Sequence, residues 1–246
     1  MLTKQFFNLI AAFYESAIIS IAIFMLILIY ARYREKQHEL TLYLFMIFLF
    51  YIFGIFFSLI EKVFVVLNID AFVNPYSPLG WIYYRIKGFR VAEVMIVIAI
   101  FISYILKIKL FHNGFYKKTH KYIVIAVGLF TAFFDFFIFI YEVILLDTIA
   151  FLLTFIFMGM IYFPFFYRSI EAYKNVEKPQ YKTAFLSLAI MSISYTLVFF
   201  SFFLDRLCLL LLDYIGFGPF YFSAWLFAIV AVFGAYFGYI KPKANE

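Results

Sequence analysis

The chain is poor in charge. Only 14% of its 246 residues are Asp, Glu, Lys or Arg, against about 25% in an ordinary soluble domain. That shortfall excludes a water-soluble globular protein. A single cysteine, Cys208, excludes an intrachain disulfide, and its apolar neighbours predict a buried, inert thiol. The three histidines, His38, His112 and His120, fall in stretches read below as connections. No helix therefore offers a histidine pair for haem or a His/Asp/Glu set at zinc spacing. There is no Gly-x-Ser-x-Gly and no glycine-rich phosphate loop, so acyl transfer and nucleotide chemistry lack their machinery. No enzymatic activity, cofactor, metal or nucleic-acid partner is expected.

What is present is apolar. Hydrophobic residues make up 67% of the chain, with 39 Phe and 21 Tyr, and mean hydropathy is +1.01. Runs of about 20 apolar residues, each long enough to cross a bilayer, recur along the whole length. The sequence predicts an all-α, polytopic integral membrane protein: a single bundle of seven transmembrane helices over residues 1–246. The expected spans are about 6–31, 40–66, 82–106, 122–146, 148–167, 183–204 and 219–240. The first run is too long for a signal-peptide core and is expected to be retained.

Charge sets the expected orientation. The segments 32–39, 107–121 and 168–182, together with the tail "KPKANE", hold 14 of the 20 Lys and Arg residues. With seven helices all four lie on one side. The positive-inside bias places that side in the cytoplasm, the N-terminus outside and the protein in the cell membrane as a multi-pass chain.

The few acids inside the spans are the functional lead. "TAFFDFFIFIYEVILL" (131–146) carries Asp135 and Glu142, seven residues apart and so close to one helix face. Asp135 falls roughly 20 Å along the fourth span, just past the midplane. Arg90 and Glu93 are three apart near the outer end of the third span, close enough to pair. Glu15 lies in the outer half of the first span. Glu61, Lys62, Asp205 and Arg206 sit at outer helix ends. A charge within a bilayer usually faces the bundle interior or a wet cavity and has a partner. The candidate ligand-binding set is therefore Asp135, Glu142, Arg90, Glu93 and Glu15, around an outward-facing cavity. The plainer reading stays open: a structural Arg90–Glu93 pair, and Asp135 as a helix-bridging hydrogen bond. The inner half is expected to be nearly free of ionisable groups, with only scattered hydroxyls, and the helix-six hydroxyls Ser187, Ser192, Ser194 and Thr196 are read as packing contacts. Pro164 predicts a kink in the fifth span.

Seven helices with the N-terminus outside resemble, in topology alone, the rhodopsins, the G-protein-coupled receptors and seven-helix sensor modules. The last span, "FYFSAWLFAIVAVFGAYFGYI", has no lysine for a retinal Schiff base, and neither "DRY" nor "NPxxY" occurs. No family is identified. Three functions are compatible with the layout. The first is a receptor-like sensor that binds a small polar ligand, ion or proton and signals through a separate cytoplasmic partner. The second is an accessory subunit of a larger membrane complex, and the third a small-solute or ion transporter. The cationic segments 32–39, 107–121 and 168–182 could dock a protein partner or anionic lipid. Gly234 and Gly238 form a small-xxx-small pair for close helix contact, within the bundle or between protomers.

Overall fold

The computed structural model describes residues 2–69, 73–74, 77–111, 118–212 and 216–240. Among these every regular element is helical: α1 (Leu2–Lys36), α2 (Glu39–Val66), α3 (Pro78–Lys87), α4 (Arg90–Phe111), α5 (Lys118–Phe133), α6 (Ile144–Asn175), α7 (Pro179–Leu212) and α8 (Pro219–Ala235). A π-helical turn, Phe134–Ile138, prolongs α5, and a second, Tyr236–Ile240, prolongs α8. All but α3 are long and apolar enough to cross a membrane, which gives seven candidate spans and supports a multi-pass membrane protein. His112, Lys117 and Lys241, which the sequence reading placed in connections and the cationic tail, lie outside the described residues.

The spanning helices follow one another around the bundle in chain order. Each touches the next, and α8 returns to α1. α3 is a short extra helix packed on α2 and α4. Its start is written locally: Ser77 accepts a hydrogen bond from Gly80 N (2.9 Å) and Pro78 takes the first helical position. Aromatic side chains fill the centre, among them Phe89, Phe151, Phe157, Phe199, Phe202 and Trp225. Others such as Phe13, Phe24, Phe130 and Phe137 point outward, as helices apolar on every side require when one side meets lipid.

Several boundaries differ from the sequence reading. The third span is broken at Gly88–Phe89 into α3 and α4, and Phe89 takes a left-handed φ of 66°. The fourth stops at Ile138 and does not reach 146. α6 and α7 run well past the apolar stretches, through "RSIEAYKN" and "DRLCLLLL". Hydropathy marks the apolar thickness, whereas Lys, Arg, Glu and Leu favour helix on either side of it. α6 is continuous through Pro164. Cys208 is half-buried, not buried. A Cβ on Gly234 would stand 3.0 Å from Met191 N and Ser187 O, and one on Gly238 2.5 Å from Leu188. The glycine face is thus occupied by α7 of the same chain.

Candidate functional site: a buried charge cluster beneath a polar cavity

Arg90 is fully buried at the start of α4, and three carboxyls converge on it. Its Nη2 donates to Asp147 Oδ1 at 2.6 Å, and its Nε donates to Gly88 O at 2.6 Å. Nη1 is ion-paired with Glu93 one turn on and lies 3.7 Å from Asp135 Oδ1. The guanidinium is flanked by the rings of Phe139 (4.6 Å) and Phe151 (5.0 Å), cation–π contacts that favour a desolvated arginine. Asp147 bridges to a second cation, with Oδ2 3.1 Å from Arg206 Nε. Five charged groups from α4, α5, α6 and α7 thus form one network.

The break in α5 is what places Asp135 and Phe139. Ending a helix inside a bundle leaves carbonyls that need donors. Arg85 on α3 supplies them: Nε donates to Phe136 O at 2.8 Å and Nη2 to Phe139 O at 3.5 Å. Its guanidinium also stacks 3.9 Å from the Trp81 ring, and a cation suits the negative end of a helix. Partial burial lowers the Arg85 pKa from its usual value. Arginine starts so high that the side chain keeps its charge at neutral pH.

Above the cluster opens a cavity of about 560 Å³. Its cations are Lys62, Lys87 and Arg206, and its acids Glu61, Glu142, Asp147 and Asp205. Five non-glycine residues among those described take a positive φ, and four of them, Asn68, Phe89, Glu142 and Phe217, line this one cavity. Such strain persists only where surrounding structure enforces it, and it concentrates at functional sites. Asp205 ties down another wall by accepting from Gly218 N (3.0 Å) at the start of α8.

The five residues singled out from sequence are not all brought together. Arg90, Glu93 and Asp135 are. Glu142 is not beside Asp135 on a helix face: the helix has ended, and Glu142 sits exposed in a turn at the cavity mouth with φ 70°. Glu15 belongs to a separate buried group, accepting from Ser58 (3.0 Å) and Tyr221 (2.5 Å) and lying 4.0 Å from Lys62. Lys62 and Tyr221 in turn line the cavity, so both groups flank the same space. Asp147 was missed because it falls between two apolar runs, where an acid reads as a connection. Its only sequence signal is its place in the first turn of a helix, where acids favour the positive end of the dipole.

The far half of the bundle holds a buried hydroxyl cluster and, against the sequence reading, one buried cation. The Tyr162 hydroxyl lies 3.0 Å from Tyr51 Oη and 2.7 Å from Ser103 Oγ. Lys107, counted above in a connection, is buried on α4 at 1% exposure, with its Nζ 5.3 Å from the Tyr104 ring. Between this group and Arg90 lies an apolar layer that includes Ile96, Phe199, Phe202 and Trp225, around a void of only about 50 Å³. The hydroxyls of Ser192 and Thr196 bond back to the helix carbonyls of Leu188 and Ser192 and make no inter-helix bridge there. Comparison with family models, curated proteins and solved structures finds no match.

Proposed function

We propose that the protein is a seven-helix sensor of the cell membrane whose cavity binds a small polar ligand carrying both signs of charge. The N-terminus lies outside in this reading, because the cation-rich segments stand at the opposite end from the cavity. The observation that carries it is the cavity itself. Its volume falls within the ~300–1,000 Å³ of small-molecule sites. Its wall carries Lys62, Lys87 and Arg206 together with Glu61, Glu142, Asp147 and Asp205, and strained backbone rims it. A zwitterion is the ligand that such a wall recognises. The apolar layer below the cluster favours sensing over transport, since among the described residues no polar path continues through it. The short cationic connections of the far end would carry the output to a separate cytoplasmic partner. Accessory-subunit status is the competing reading.

The test is thermal melting of the purified chain against a panel of small zwitterions, cations and anions. A true ligand at 100 times its Kd should stabilise by about 2.7 kcal/mol. Glu142→Gln at the exposed mouth should weaken that response while leaving the ligand-free melting temperature unchanged. No response to any member, alongside copurification of a fixed membrane partner, would favour the accessory-subunit reading.

A further inference from the structure

Charge is not balanced inside the cluster, and two of its carboxyls share one arginine nitrogen. Arg90 and Arg206 supply two positive charges against Glu93, Asp135 and Asp147, so one negative charge is left over. Glu93 and Asp135 are both at 0% exposure and both converge on the same nitrogen, Arg90 Nη1. None of their four oxygens receives an aligned hydrogen bond from a fixed N–H or O–H. Arg90 Nη1 reaches the pair only as an ion-pair contact. The remaining charged groups nearby face elsewhere: Asp147 is taken by both arginines, Arg85 by the carbonyls of Phe136 and Phe139, and Asp205 by Gly218. Lys87 lies over the Tyr141 ring.

We propose that Glu93 and Asp135 form a proton-binding site and hold a single proton between them, one carboxyl donating to the other. The added proton supplies the missing hydrogen-bond donor and brings the five-residue network to neutrality, which a membrane interior favours. A metal ion fits less well, because the three carboxyls converge on Arg90 and no three or more of the described acids, histidines or cysteines are placed to hold one ion. The proton enters from the cavity past Asp147, which lines it and bonds Arg90. Its loss sets two carboxylates against each other and pushes Asp135 away, carrying the π turn and the cavity-wall residues Phe139 and Glu142 with it. The site stands whether or not the cavity takes an organic ligand.

The experiment is infrared difference spectroscopy of the purified full chain through a pH titration, following the carbonyl stretch of protonated carboxyls. We expect a band at neutral pH that disappears on alkalinisation. It should be absent from both Glu93→Gln and Asp135→Asn and retained in Glu142→Gln and Glu15→Gln. Should either pair variant fail to fold, Glu15→Gln decides: a neutral-pH band persisting there supports the shared proton, and none overturns it. A wild-type spectrum without the band overturns it. So does a band lost only in Glu15→Gln, or one displaced by sodium or potassium at constant pH.

Discussion

Arg90 is the residue on which the charged network depends. Removing it strands Glu93 and Asp135 in a buried setting and leaves Asp147 with Arg206 alone, and breaking a buried ion pair from one side costs about 3–5 kcal/mol. Arg90→Ala should therefore abolish recovery of a monodisperse protein in size-exclusion chromatography. Arg90→Lys should not rescue it, because a point charge cannot engage Gly88 O, Asp147 and Glu93 at once. In the other half of the bundle, Tyr162→Phe deletes two hydroxyl contacts. At about 0.6 kcal/mol per bond between membrane helices, its melting temperature should fall only slightly. The three-residue spacing of Arg90 and Glu93 made their pairing legible. Asp135 was legible as an acid in an apolar run, but the fourth and fifth members, Asp147 and Arg206, come from other helices and carry no such pattern.

The end of α5 is the element that gives the site its shape. Gly88, at the break between α3 and α4, permits it: a Cβ there would stand 2.6 Å from the Phe139 ring. Gly88→Ala should push Phe139 off Arg90 and destabilise the protein by about 1–3 kcal/mol, the usual cost of overpacking, read as a fall in melting temperature. Gly234 does similar work where α8 meets α7. Gly234→Leu should lower stability by separating the two helices while leaving the oligomeric state unchanged, since its neighbours are Met191 and Ser187 of the same chain. The end of the fourth span was not visible in hydropathy, because "FFDFFIF" is apolar enough to continue as helix. What accommodates the stop in the fourth span is tertiary: Arg85, a cation from another helix, satisfies the freed carbonyls of Phe136 and Phe139.

The shared proton has a consequence for the molecule as a whole. A folded chain that carries one more proton than the unfolded chain at neutral pH loses stability as pH rises, by about 1.4 kcal/mol per pH unit. Melting temperature in detergent should fall from neutral to alkaline pH in the wild type, and the slope should flatten in Asp135→Asn. Orientation is testable separately. On a Cys208→Ser background, Glu142→Cys and Glu171→Cys should react with a membrane-impermeant thiol reagent from opposite sides of sealed vesicles, with Glu142→Cys reacting from outside.

The sequence by itself determined that the chain is helical, that seven helices are long and apolar enough to cross a membrane, and that its rare internal charges would need partners. These are local properties of hydropathy and length, carried by each segment alone. Tertiary structure decided which charges meet. Glu15 went to Ser58, Tyr221 and Lys62, Glu142 left the helix, and Asp147 joined Arg90 and Arg206. The physical reason is that a buried charge is stabilised by whichever opposite charge or donor the packed helices bring to it, and helix rotation, helix ends and an inserted arginine are set by packing across the bundle.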